Sequence, residues 1–181
     1  MREPEWESAS ERDVWEFVAV HLKKNGVETV LVGGAVVAIY SAGLYQSGDL
    51  DFVKSRFDEV ADLLRQIGFM RKGRHFAHPR CKHIIIEFVD DPVAIGDDYK
   101  IRPASKKVDQ TRIKILSPTD CIKDRLCSYI YFKSRDALDQ AVLVAQHNRH
   151  NMSEVERWCR KEGKAAMAAY AEFRRLLDSQ K

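Results

Sequence analysis

The stretch LVGGAVVAIYSAGLYQSGDLDFV, residues 31–53, constrains the fold more than any other part of the chain. It reads as a short buried strand running into Gly33-Gly34, an apolar helix directly after the glycines, and a second strand, DLDFV. The helix is apolar on every side, so it must be covered all round. In the second strand side chains alternate, which puts Asp49 and Asp51 on one face while Leu50 and Phe52 point into the core. Two carboxylates a single repeat apart repel each other unless a cation holds them together. Mg²⁺ or Mn²⁺ suits that position, since a small divalent ion takes oxygen ligands and keeps sites open for phosphate. Two such ions about 3.5–4 Å apart stabilise both the attacking and the leaving oxygen of a phosphoryl displacement.

The glycines fit the same chemistry. Without Cβ atoms, Gly33 and Gly34 let a triphosphate approach the backbone, and the following helix aims free N–H groups at the same place. Ser47, just ahead of the aspartates, is a further phosphate-binding candidate. Glu87 is the single acid in the apolar run HIIIEFV, where an unpartnered charge would be costly. A metal ion, an Arg or a Lys would each satisfy it. If its strand neighbours the aspartates, it becomes a third metal ligand or the acceptor of a hydroxyl proton.

The rest of the chain alternates helix and strand up to about residue 116 and is helical beyond it. The first helix is SERDVWEFVAVHLKKNG, with a capping-box spacing at Ser10 and Asp13, Val14, Phe17, Val18 and Leu22 on one face, and Gly26 as its stop. FDEVADLLRQIGF is amphipathic with Val60, Leu63, Leu64 and Ile67 inward; the basic stretch 69–80 reads as a strand or hairpin. HIIIEFV and RIKIL read as strands, and the polar stretch around them from residue 90 carries turn signals. Ser117-Pro118 opens a helix, and the periodicity predicts helices near 118–132, 135–147, 153–162 and 164–178. The expected organisation is an α/β core over residues 1–116, a small mixed sheet flanked by helices, followed by a helical bundle over 117–181.

With 181 residues, 45% hydrophobic and 31% charged, the composition suits a globular protein with a real core. A net charge of +3 permits an anionic partner without demanding one. Four scattered cysteines with no C-x-x-C pair argue for a reducing compartment. The N-terminus is too charged for a signal peptide, and no apolar run reaches the roughly 20 residues of a membrane span. A cytoplasmic location without a membrane partner is expected.

The order LVGG, SGDLDFV, IIIEFV resembles the nucleotidyltransferase (polymerase β-like) superfamily: hydrophobic-Gly-Gly, helix, Asp-x-Asp on a strand, then an acid on a neighbouring strand. The 14 residues between Gly34 and Asp49 are at the long end of that pattern. The helical half is similar to small stand-alone relatives of the abortive-infection nucleotidyltransferase-like toxins, which carry a Lys-Leu helix after Leu-Ser-Pro and a basic-x-basic-Asp-x-x-Asp signature. Here LSPTDCIKDRL places Arg125 where the Lys would stand, and the signature reads Lys133-Ser-Arg135-Asp136-Ala-Leu-Asp139 with its basic types exchanged. The similarity covers roughly residues 27–147 by motif order. It implies transfer of a nucleoside monophosphate from an NTP to an acceptor hydroxyl on RNA (a tRNA end, for instance), a protein or a small molecule. It also implies that Arg125 and Arg135 neutralise the triphosphate, and that Asp136 and Asp139 form a second carboxylate motif. The alternative is an inactive member of the fold acting as a nucleotide- or RNA-binding module, as in a toxin–antitoxin pair with a partner protein; a third possibility is a scaffold whose acidic pair is structural.

Other features have plainer explanations. His75, His78, Cys81 and His83 follow no established zinc spacing. Two basic clusters, Arg71, Lys72, Arg74, Arg80, Lys82 and Lys100, Arg102, Lys106, Lys107, Arg112, Lys114, suit either a nucleic-acid backbone or simple solubility. Trp158, Met167, Tyr170 and Phe173 read as helix-packing core or a dimer surface.

Overall fold

A computed structural model describes residues 2–54, 58–90 and 92–179. The elements run α1 (Glu11–Lys24), β1 (Val30–Val32), α2 (Gly34–Tyr40), β2 (Asp49–Lys54), α3 (Asp58–Gln66), β3 (Met70–Lys72), β4 (His75–His78), β5 (Cys81–Asp90), β6 (Ala104–Val108), β7 (Thr111–Ile115), α4 (Pro118–Tyr131), α5 (Arg135–His147), α6 (Met152–Glu162) and α7 (Lys164–Ser179). The helix expected from Phe57 is described from Asp58; Phe57 lies outside the described residues.

The strands form one mixed sheet in the order β3-β4-β5-β2-β1-β7-β6. β2 runs antiparallel to β1 and parallel to β5, so the strand bearing the aspartates is central. Leu50 and Phe52 are fully buried, as are Leu31 and Ile86 beside them. Phe52 stacks on Phe88 at 5.6 Å between ring centroids, and Phe76 meets Phe88 edge-on. This apolar face receives α1 and α3, whose amphipathic stripes bury Val14, Val18, Leu22, Val60 and Leu64.

Two features of this core do not follow from periodicity. Trp6, ahead of the first helix, is fully buried against His78 at 4.1 Å and edge-on to Phe17 and Phe69. Trp15, beside rather than within the stripe Val14-Val18-Leu22, is also buried, with the Lys106 ammonium 5.7 Å above its ring. Lys106 also pairs with Glu16, and Lys114 with Glu28, so part of the second basic cluster is spent on internal ion pairs. Strand β6 went unread in the sequence because ASKKV has little β-branched or aromatic content. It pairs over its whole length with β7, which is what makes it a strand.

The helical region joins the sheet through α2. Helices α4 and α5 both pack on it, and the Tyr40 hydroxyl donates to the Leu116 carbonyl at 2.7 Å while the Asn148 amide donates to the Tyr40 carbonyl at 2.9 Å. Helix α4 opens on Ser117, whose hydroxyl accepts from the Asp120 backbone, with Pro118 at the first position. Trp158, Tyr170 and Phe173 are buried within the bundle and Met167 packs against that core. All four cysteines are free. No described helix is long and apolar enough to cross a membrane.

Lys123 places a charge in the interior of the bundle. Its side chain is 3% exposed, and its ammonium lies 3.0 Å from Asp120 and 2.6 Å from Glu154. Replacing it with Ala leaves the buried Asp120 carboxylate uncompensated. Lys123→Ala is expected to lose about 3 kcal/mol or more of stability, read as a lower urea midpoint.

Candidate active site

The period of β2 sets the site. Because Leu50 and Phe52 occupy the core, Asp49 and Asp51 emerge on the opposite side, Asp49 exposed and Asp51 half-buried. Parallel pairing brings Glu87 of β5 directly beside Asp51, and Asp49 beside Ile85. Glu87 is 29% exposed at its side chain, and its nearest cation is the Arg74 guanidinium at 3.8 Å, beyond hydrogen-bonding distance. Three acids therefore share this face. The Asp51 carboxyl is pushed up to about 6, first by burial, then by the charges of Asp49 and Glu87, with Arg125 pulling the other way.

Gly33 has φ +74°, and a methyl group there would overlap the Asp51 Oδ2 oxygen. At Gly34 a Cβ would lie 2.6 Å from the Ser47 hydroxyl. The glycines thus make room for this chain's own Asp51 and Ser47 side chains. α2 is seven residues long, and its N-cap Gly33 supplies no side-chain cap. Ser47 is fixed by its backbone N–H, which donates at 2.9 Å to the buried Glu11 carboxylate, leaving its hydroxyl at the glycine turn.

Arg125 comes from α4 and is 13% exposed at its side chain. It donates to Asp124 through Nε at 3.0 Å and to the Gln140 side-chain Oε1 at 3.2 Å. Both Arg125 and Asp124 act electrostatically on Asp51. Asp136 and Asp139 line a neighbouring cavity of about 400 Å³ with Leu44, Tyr45, Gln140 and Leu143. Arg135 is not brought to the carboxylates. It faces a separate cavity with Tyr129, Lys133, Ala169 and Glu172, because successive residues leave a helix roughly 100° apart and Asp136, not Arg135, falls on the Gln140 side.

Asp124, Gln140, Tyr45 and Glu11 are site residues that the sequence did not reveal; each arrives from another element. Only Asp124 carried a signal, as the residue adjoining Arg125. Of the histidines, His78 stacks on Trp6 and lies tilted against Phe69, and the His83 ring is 2.8 Å from the Ala9 carbonyl. Among the described residues no three His, Cys, Asp or Glu side chains are arranged to hold a metal ion as they stand. The donor set is all oxygen, the chemistry that a hard divalent cation takes, and the Asp51 carboxyl is raised by burial first and by its acidic neighbours second. Asp49 and Asp51 would hold such a cation, with Glu87 as a third ligand or as a proton acceptor.

No protein-family profile matches the chain, and no curated protein matches it in sequence. Solved structures do match it in shape. An antigenic nucleotidyltransferase-like protein from Paracoccidioides brasiliensis is 15% identical with a TM-score of 0.62, covering 92% of this chain and 88% of that one. ANT(2")-Ia, solved in complex with adenylyl-2"-tobramycin, is 10% identical with a TM-score of 0.51, covering 89% and 95%. The chain has the nucleotidyltransferase fold.

Two tests follow from this geometry. Gly33→Ala should destabilise the protein by about 1–3 kcal/mol, through its positive φ and the displaced Asp51 carboxylate, read as a lower melting temperature. Because the Asp51 carboxyl is raised from its unfolded value of 3.8 to about 6, the folded state holds the extra proton between those values. The stability linked to it is present at low pH and lost as pH rises through about 6. In metal chelator, Asp51→Asn should therefore melt higher than wild type at pH 7.5, by on the order of 1 kcal/mol once solvent screening is allowed for. The gap should vanish near pH 4 in melts across a pH series.

Proposed function

We propose that this protein is a metal-dependent nucleotidyltransferase that moves a nucleoside monophosphate from an NTP to an acceptor hydroxyl. The observation that carries the proposal is that Asp49, Asp51 and Glu87 share one face of neighbouring strands beside the Gly33 turn. A bound Mg²⁺ or Mn²⁺ would neutralise the carboxylates and the phosphate charge together. The Ser47 hydroxyl and Arg125 stand where phosphate oxygens would be received. Glu87 accepts the proton of the acceptor hydroxyl as its oxygen bonds to the α-phosphorus, and the bond from that phosphorus to the bridging oxygen breaks to release pyrophosphate. The fold is shared with ANT(2")-Ia, solved in complex with adenylyl-2"-tobramycin, which supports the reaction class.

A second reading is a nucleotide-binding module without turnover. It is favoured by the engagement of Arg125 with Asp124 and Gln140, and by Asp51 and Ser47 filling the room at the glycines.

Incubation with labelled NTPs, Mg²⁺ and total cellular RNA, protein and metabolites separates the two. Transfer of label by the wild type, with a loss of at least 100-fold in Asp51→Asn, is the expected result. A melting shift by Mg-NTP with no label transfer to any fraction would favour the binder; neither shift nor transfer would sink both.

A further inference from the structure

The register of the sheet aligns one side chain from each of five strands. Val32, Asp51, Glu87, His75 and Lys72 are successive cross-strand partners on β1, β2, β5, β4 and β3. Directly paired residues project to the same side of a sheet. The row therefore passes from the glycine turn through two acids to an imidazole and then a cation. Arg74 joins it from the two-residue turn between β3 and β4, where Gly73 has φ +63°. Its side chain is 90% exposed and reaches back toward Glu87. The chain carries no acidic residue between Asp62 and Glu87.

An in-line displacement puts the attacking and leaving oxygens on opposite sides of the phosphorus. The inference rests on the transferase reading above, in which the phosphates lie at the glycine turn and Arg125, on the β1 side of Asp51. Pyrophosphate then leaves on that side, and the acceptor hydroxyl comes from the other, across Glu87. The β3–β4 hairpin forms that approach, and the cations Lys72 and Arg74 stand on it. We propose that the acceptor is a phosphate-bearing molecule that enters over this hairpin, with Lys72 and Arg74 on its phosphate and His75 between that phosphate and Glu87.

Arg74 couples arrival of the acceptor to the chemistry. At 3.8 Å its contact with Glu87 is longer than a hydrogen bond, whereas a phosphate offers several charged oxygens at full hydrogen-bonding distance. An incoming phosphate draws Arg74 away and leaves the Glu87 carboxylate to take the hydroxyl proton. A polycationic acceptor would be repelled at the same place. The acidic cavity at Asp136 and Asp139 adjoins Tyr45 and Gln140, the residue that holds Arg125, and so belongs to the nucleotide side.

The test uses the full chain and a Lys72→Ala/Arg74→Ala double variant, with Lys100→Ala/Arg102→Ala as the control for loss of two surface charges elsewhere. Binding of a short labelled single-stranded RNA and of AMP is measured against salt, alongside the melting shift caused by Mg-NTP. The hairpin variant should bind one or both phosphate ligands at least about tenfold more weakly, with a shallower salt dependence, while its Mg-NTP shift and the control variant match wild type. Loss confined to RNA identifies a nucleic-acid acceptor; loss on AMP as well identifies a small phosphorylated one. Wild-type binding of neither ligand, or equal weakening in the control, would overturn the inference. So would unchanged binding by the hairpin variant. If these fail while wild type still responds to Mg-NTP, the acceptor assignment alone is wrong; no response to Mg-NTP would remove the transferase reading as well.

Discussion

Strand β2 lies in the middle of the sheet, and over residues 49–52 only one of its faces is buried in hydrocarbon. Leu50 and Phe52 are completely enclosed, so a slip of one residue would drive two carboxylates into the core and expose a leucine and a phenylalanine. That penalty locks the register. Once it is locked, Asp51 has no freedom to avoid Glu87, because parallel pairing with β5 sets them side by side. The concentration of negative charge at the site thus follows from apolar packing on the far side of the same strands.

The backbone around Asp51 is shaped to accept this charge. Gly33 adopts a conformation that L side chains avoid, and its missing methyl leaves room for the Asp51 carboxylate. One glycine therefore serves both the turn into α2 and the close approach of β1 to the acid on β2. Arg125 offsets part of the charge from above, but its guanidinium is shared with Asp124 and Gln140. The Asp51 carboxyl stays raised, by burial first and by Asp49 and Glu87 second, with Arg125 opposing the shift.

The two halves of the molecule meet through α2. This helix is apolar all round because it is packed between the sheet, α1 and the helices of the C-terminal region. Its position holds Tyr40, Leu116 and Asn148 in one hydrogen-bonded link, so the helix bearing Arg125 is placed relative to the aspartates by the element that begins at the glycines. The hydrophobic core runs without a break from Trp6 and Phe52 to Phe173. Movement of α4 relative to the sheet would have to break that continuity.

By itself the sequence determined the elements with strong periodicity or capping, the shared face of Asp49 and Asp51, and the isolation of Glu87 in an apolar strand. Those are local properties, set by side-chain alternation and by residue types that tolerate few backbone states. It also determined the order of motifs that resembles the nucleotidyltransferases, a likeness the shape comparison bears out for the fold. Tertiary structure alone decided which strand lies beside Asp51, that Arg125 reaches the site while Arg135 does not, that Glu11 anchors Ser47 across 36 positions, and that β6 is a strand at all. Each of these depends on pairings between distant segments, whose closure is selected by the collective burial of the core rather than by any short run of residues.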